Sequence, residues 1–283
     1  MTGPVPMFLL DDRALLALLQ EDLPHGDLTS RALGIGPAPG LLRMAARDPM
    51  VLAGVEEAAR IFALLGARAE IAAPSGAERA PGAPILAVEG PAEALFAGWK
   101  VAQTLMEWAS GLATSAGALV RAAAEGAPGT VVACTRKTVP GTRALAFKAV
   151  TAGGATLHRT GLSDTVLLFP EHRPFAAGDL RAQLARLRAA CPEKHLVVEV
   201  TSLAAAEAAA EGGADVIQLE KFPPEAVAEA VRALEGRPVR IAAAGGIHPG
   251  NAAAYAAAGA QVLVTSAPYQ APPRDVAVTL EPA

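Results

Sequence analysis

Two hydrophobic rhythms divide the chain. Up to about residue 90, DDRALLALLQ (11–20) and VEEAARIFALLG (55–66) carry apolar residues at helical spacing, and Gly66 is placed to end the second. LLRMAAR (41–47), RAEIAA (68–73) and PILAVEG (84–90) read as strands, while PSGAERAPGAP (74–84) predicts a loop by its Pro and Gly. This mixture suits an α+β domain. A long helical region then runs from about Ala92 to Ala124, with a break or bend expected near Ser110-Gly111.

The second rhythm is regular. Apolar strands are expected at TVVACT (130–135), TVLLF (165–169), HLVVEV (195–200), DVIQLE (215–220), VRIAAA (239–244) and QVLVTS (261–266), and GATLHR adds a candidate seventh. Helical segments separate the later ones: DLRAQLARLRAA (179–190), LAAAEAAAEGG (203–213), EAVAEAVRALEG (225–236) and GNAAAYAAAG (250–259). Continuous apolar strands alternating with helices indicate parallel βα units, and six or seven of them favour closure into an α/β barrel over an open sheet. In such a barrel, functional groups gather at the C-terminal ends of the strands. Arg136 and Lys137 follow the first strand, Glu199 and Glu220 close the third and fourth, Gly245-Gly246 follow the fifth, and Ser266 ends the sixth.

Composition narrows the classes. A hydrophobic fraction of 52% over 283 residues is ample for a large core in one or two domains, and 4% aromatics mean that small aliphatics build it. The net charge of −4 and the scarcity of stacking rings argue against nucleic acid as a partner. The first thirty residues lack a secretory signal pattern, and no apolar run is long enough for a membrane span, so no membrane partner is expected. Cys134 and Cys191 are far apart and without metal-ligand spacing, which suits a reducing cytoplasm.

Against that mildly acidic background, one stretch is anomalous. CTRKTVPGTRALAFKAVTAGGATLHR (134–159) carries Arg136, Lys137, Arg143, Lys148, His158 and Arg159, and no Asp or Glu occurs between Glu125 and Asp164. Arg offers a planar fork to carboxylate or phosphate and Lys a point charge, so the cluster suits an anionic ligand; acids from elsewhere in the chain are the other available counter-ions. Gly245-Gly246 can present backbone N–H groups to a phosphate, though alone the pair is a weak signal and reads more readily as a tight βα turn. Glu199 and Glu220 can hold Mg²⁺, directly or through water, or stabilise positive charge on a sugar ring; structural ion pairs are the alternative. Together these groups fit transfer of a phosphorylated sugar from a diphosphate donor to an anionic acceptor, through a transition state like that of glycoside cleavage.

The sequence resembles the quinolinate (nicotinate-nucleotide) phosphoribosyltransferases over nearly its whole length. EDLPHGDLTS (21–30), WASGLATSAGALV (108–120), TRKTVPGTR (135–143), GGATLHRTGLSD (153–164), VVEVTSL (197–203) and AAGGIHPGNAAAYAAAGAQVLV (243–264) follow that family's motifs in order. The resemblance implies an N-terminal α/β sandwich over 1–113, to which 268–283 returns, and an open α/β barrel over 114–267. It also implies a PRPP-dependent pyrophosphorylase using Mg²⁺. The family forms homodimers, or higher oligomers, in which the neighbouring subunit completes the active site. Carried over by motif, Arg136, His158 and Arg159 match the acceptor-carboxylate site and Lys137 the lysine facing the donor diphosphate. Glu199 and Glu220 match the acids near ribose and Mg²⁺, the second being Asp in most members. Gly245, Gly246 and Ser266 fall where the 5′-phosphate is held, and Lys100 where an Arg reaches into the neighbour's site.

The departures are specific. Cys134 stands where the family has Asp, Leu157 where it has Asn, Phe169 where it has a lysine, and Lys100 where it has Arg. With FPEHR, QLEKF and WKVAQ, these changes resemble the family's ModD branch, which is associated with molybdate transport. The resulting expectation is a PRPP-dependent transferase whose aromatic or heterocyclic acceptor is less anionic than quinolinate at one edge. The alternatives are a quinolinate phosphoribosyltransferase of NAD biosynthesis, with Lys148 or Arg173 supplying the missing charge, a non-catalytic anion sensor, and a molybdate or tungstate binder.

Overall fold

The computed structural model describes residues 9–283, so residues 1–8 of the first expected domain lie outside the described residues. In chain order the strands are β1 (Pro39–Ala46), β2 (Met50–Val51), β3 (Arg68–Ile71), β4 (Glu78–Arg79), β5 (Pro84–Pro91), β6 (Val131–Cys134), β7 (Thr156–Leu157), β8 (Val166–Leu168), β9 (Leu196–Val200), β10 (Val216–Glu220), β11 (Arg240–Ala244), β12 (Val262–Thr265) and β13 (Val276–Pro282). They fall into two compact units. The first takes the described residues up to Gly117 with Thr138–Gly154 and Pro268–Ala283; the second takes Ala118–Lys137 and Ala155–Ala267. Residues 138–154 thus belong with the first unit, although they lie numerically inside 114–267.

In the first unit an antiparallel sheet runs β13-β1-β5-β3. Alternation along β1 sends Leu42, Met44 and Ala46 into the core, and β5 adds Ile85, Leu86 and Val88. The helix Val55–Leu64 packs on β3 and on the helix Asp12–Asp22. Gly66 ends the former at φ +85°, where its N–H reaches Ala63 O and that of Ala67 reaches Phe62 O, the paired bonds of a left-handed helix stop. The expected loop at 74–84 contains a short strand, β4, paired with β2.

The expected break near Ser110-Gly111 is absent: one helix runs unbroken from Ala92 to Gly126. The two residues that suggested a break serve packing instead. Ser110 Oγ accepts the Ala53 N–H at 3.0 Å inside the core. A Cβ on Gly111 would sit 2.3 Å from the Pro272 carbonyl oxygen, so glycine is what lets the C-terminal segment approach the helix.

The helix Arg143–Ala152 also lies in the first unit and buries Lys148 to 1% exposure. Lys148 Nζ pairs with Glu57 and, at 2.8 Å, with Glu56 Oε2; Ser75 donates to Glu56 from its N–H and its hydroxyl. Burial works against the Glu56 anion, but these hydrogen bonds outweigh it and hold the carboxyl below its ordinary range. Lys148 therefore already has two counter-ions, which corrects its expected availability to a ligand.

The second unit is a seven-stranded parallel sheet in the order β7-β6-β12-β11-β10-β9-β8, with helices in the connections. It is an open α/β barrel. The edges β7 and β8 do not pair with each other, so the hydrogen-bonded closure favoured by the strand rhythm is not made. Among the described residues, no helix is long and apolar enough to cross a membrane.

Candidate active site

Each of the seven parallel strands delivers a candidate group at the same edge. Arg136 and Lys137 follow β6, His158 and Arg159 follow β7, and Phe169 follows β8. Glu199 is next to last in β9, Glu220 ends β10, Gly245-Gly246 follow β11, and Ser266 follows β12. Parallel pairing with small register offsets turns residues that span more than a hundred positions of sequence into one rim. Lys100 belongs to the first unit and sits on the long helix Ala92–Gly126. Its Nζ bonds Gln103 Oε1 at 3.0 Å and stands 4.4 Å from the Trp99 ring centroid. It lines an open cleft of about 520 Å³ with Leu18, Glu21, Asp22 and Trp108.

Cations dominate one side of the rim. Arg136, Lys137 and Arg159 make no ion pair among the described residues, and Arg159 is only 6% exposed. Burial first, then the nearby Arg136 charge, pushes the Arg159 guanidinium below its ordinary value. Burial likewise holds the His158 imidazole down, with Arg159 adding to the effect and a hydrogen bond with the Gln218 side chain opposing it. Two like charges kept close without a counter-ion are costly unless an anion answers them. The Phe169 ring lies 5.6 Å from the Arg159 guanidinium and stacks on His172 with centroids 5.6 Å apart, while His172 Nδ1 accepts the Phe169 N–H. Arg173 is exposed in the turn that follows.

Acids hold the other side. Glu199 titrates above its ordinary range, because burial disfavours its anion and Glu220 repels it, with Gln218 and Lys137 offsetting only part. Gln218, which sequence reasoning passed over as part of an apolar run, donates from Nε2 to Glu199 Oε2 at 2.6 Å. It lies opposite Ala242, and Glu220 lies opposite Ala244, both members of a small apolar cluster with Val264. Glu220→Gln removes the like charge, and Glu199 is expected to release its proton at a lower pH; a carboxyl NMR titration reads this without needing turnover. An unchanged Glu199 titration would mean that the two acids do not sense each other.

The glycine turn after β11 is ordered from below. Thr265 Oγ1 donates to Ile247 O at 2.7 Å, and Asn251 donates to Gly246 O while accepting the His248 N–H. Gly245 and Gly246 take φ of +91° and +75°. A Cβ on Gly245 would meet Lys221 Cγ at 2.7 Å. Lys221, also missed in the sequence, is the one non-glycine described with positive φ (59°), which turns its side chain over Gly245. Cys134, at the end of β6, is buried, and desolvation pushes its thiol up to about 12, so it is no nucleophile. Among the described residues there is no cluster of three or more His, Cys, Asp or Glu suited to a metal.

Comparison with known proteins accounts for nearly the whole chain. The quinolinate phosphoribosyl transferase N-terminal domain matches residues 27–110, and the C-terminal domain of the same family matches residues 112–279. The chain belongs to the quinolinate phosphoribosyltransferase family. Membership makes it an enzyme of the pentosyltransferase class. It is 60% identical over 250 residues to ModD of Rhodobacter capsulatus, named as a pyrophosphorylase, covering 87% of this chain and 96% of that one. It is 33% identical over 272 residues to the carboxylating nicotinate-nucleotide pyrophosphorylase of Rattus norvegicus, covering 94% and 90%. The crystal structure of NadC from Streptococcus pyogenes superposes with a TM-score of 0.91 at 28% identity, covering 100% of both chains. The family's two-domain fold is thus the fold described above.

Proposed function

We propose that the protein transfers phosphoribose from PRPP to an aromatic or heterocyclic anionic acceptor and releases pyrophosphate, and that the acceptor differs from quinolinate at the edge occupied by Phe169. The observation that carries this reading is the rim itself, where Arg136, Lys137 and Arg159 make no ion pair among the described residues and two acids repel each other. In this reading Arg136, His158 and Arg159 take the acceptor carboxylate, Lys137 faces the donor diphosphate, and Gly245, Gly246 and Ser266 receive the 5′-phosphate. A bond forms from the acceptor to the anomeric carbon as the bond to pyrophosphate breaks, its electron pair leaving with the diphosphate. Glu199 and Glu220 stabilise the positive charge that develops on the ribose.

The same two carboxylates fit Mg²⁺. Their mutual repulsion favours a cation between or beside them, and Mg²⁺ commonly takes one or two carboxylates with the remaining ligands from water and substrate phosphate. Bound there, Mg²⁺ would neutralise diphosphate charge. Lys100 is assigned to the neighbouring subunit's site in a homodimer, on the family resemblance of its position alone. The two free cysteines, one of them buried, suit a reducing cytoplasm. The link to molybdate transport rests on likeness to the ModD proteins alone.

The second reading, quinolinate as acceptor in NAD biosynthesis, is favoured by the similarity to carboxylating relatives. Against it, Phe169 puts an apolar ring where a second carboxylate would need a cation, and Lys148 is already paired. Phe169→Lys decides between them. The variant is expected to bind quinolinate about tenfold to a hundredfold more tightly, the worth of one charge-assisted contact. Unchanged affinity by calorimetry would show that position 169 does not touch the acceptor.

A further inference from the structure

Lys221 holds a backbone conformation that its residue type rarely takes. Its φ is 59°, and it is the one non-glycine described with positive φ. Its N–H donates to Ala244 O at 2.8 Å, which carries the β10–β11 ladder one bond further and fixes the residue beside the end of β11. The chain then buries Phe222 and enters the helix Pro224–Ala233. Glycine or asparagine would make that turn at less cost, so the turn alone does not account for a lysine. Left-handed residues other than glycine gather at ligand-binding sites, where the surrounding structure holds the strain.

The side chain set by this conformation lies against the glycine turn after β11. A Cβ on Gly245 would meet Lys221 Cγ at 2.7 Å, Lys221 N at 3.0 Å and Glu220 Oε1 at 3.1 Å. The lysine stem therefore packs where only a bare backbone leaves room for it. A Cβ on Gly246 would meet nothing within 4 Å, and Gly246 is exposed, so the turn is open on that side. Lys221 is itself exposed and makes no ion pair among the described residues, although Glu220 precedes it. Its ammonium, a point charge on a flexible stem, is thus uncommitted beside an accessible backbone turn.

We propose that Lys221 binds the 5′-phosphate of the donor, adding a full positive charge to the turn formed by Gly245 and Gly246. This deepens the phosphoribosyltransferase reading and rests on it. The other groups at that phosphate, two glycine N–H groups and the Ser266 hydroxyl, offer hydrogen bonds without a full charge. A phosphate monoester carries about −1.5 to −2 at neutral pH, and a cation strengthens its hydrogen bonds. Arg136, Lys137 and Arg159 answer the acceptor and the diphosphate instead, so Lys221 divides the labour: one end of the donor meets Lys137 and the other meets Lys221.

The experiment measures ribose 5-phosphate and inorganic pyrophosphate separately by calorimetry on the full chain, for wild type, Lys221→Asn, Lys221→Gly and Lys221→Arg. Asparagine and glycine take the left-handed conformation readily, so both neutral variants should fold as wild type does. Each is expected to bind ribose 5-phosphate about tenfold more weakly, the worth of one charge-assisted contact, while pyrophosphate affinity stays within about twofold. Lys221→Arg should recover most of the loss. Unchanged ribose 5-phosphate affinity in the neutral variants, an equal loss for both ligands, or a wild type that does not bind ribose 5-phosphate would each overturn the assignment. Pyrophosphate release from PRPP reads the transferase reaction separately. Release by wild type with no effect of the neutral variants on ribose 5-phosphate would sink the Lys221 role alone. Lys221-dependent binding without release with any acceptor would sink the transferase reading alone.

Discussion

Lys137→Ala is expected to lower turnover by about a hundredfold to a thousandfold while leaving the fold intact. Lys137 is exposed, lies three residues past β6, and has no ion pair among the described residues, so its removal leaves no buried charge behind. Thermal unfolding should therefore barely move. The kinetic loss follows from its place in the proposed reaction, where negative charge accumulates on the departing diphosphate and a fixed cation beside it acts most strongly in the transition state. Lys137→Arg keeps the charge but changes its geometry and should recover part of the loss. Full turnover in the alanine variant would mean that the diphosphate is held elsewhere on the rim.

Lys148→Met is expected to cost about 3–5 kcal/mol of stability, the usual consequence of deleting one partner from a buried ion pair. The methionine retains most of the stem's packing but leaves Glu56 and Glu57 without their cation, and the Glu57 side chain is 1% exposed. The pH dependence gives a second check. Glu56 is held below its ordinary range in the folded protein, so it contributes stability above the carboxylate pKa of the unfolded chain and loses it as pH falls through the folded value. Lys148→Met removes that contribution, and the gap between wild type and variant should narrow in acid. Chemical denaturation at neutral pH and near pH 4 measures both effects. A variant as stable as wild type would show that the ion pair is not held as described.

Lys148 also shows where sequence reading reaches its limit. It sits in a stretch of cations with no acid for 38 residues, and the inference that its counter-ion is a substrate was reasonable for Arg136, Lys137 and Arg159. Its partners come from about ninety residues upstream, on a helix whose acidic first turn gave no sign of facing it. The strand rhythm was legible because parallel strands buried on both faces are continuous apolar runs, and their C-terminal edge follows from chain direction. Gln218 escaped for the same reason: one amide inside VIQLE does not interrupt an apolar run, although the residue lies among the proposed site groups. Ser110-Gly111 misled because glycine punctuates helices in sequence, while here it admits the Pro272 carbonyl from 161 positions away. Strands of two residues, β2 and β4, carry too few positions to show alternation.

The measurement that bears most directly on the proposed reaction is pyrophosphate release from PRPP with Mg²⁺, run side by side with quinolinate, with nicotinate and without acceptor. The account predicts acceptor-dependent release with an aromatic or heterocyclic acid less anionic than quinolinate, and little with quinolinate. Quinolinate turnover as efficient as with any other acid would contradict the altered acceptor edge, and no release with any acceptor, from protein that fails to bind PRPP, would contradict phosphoribosyl transfer itself.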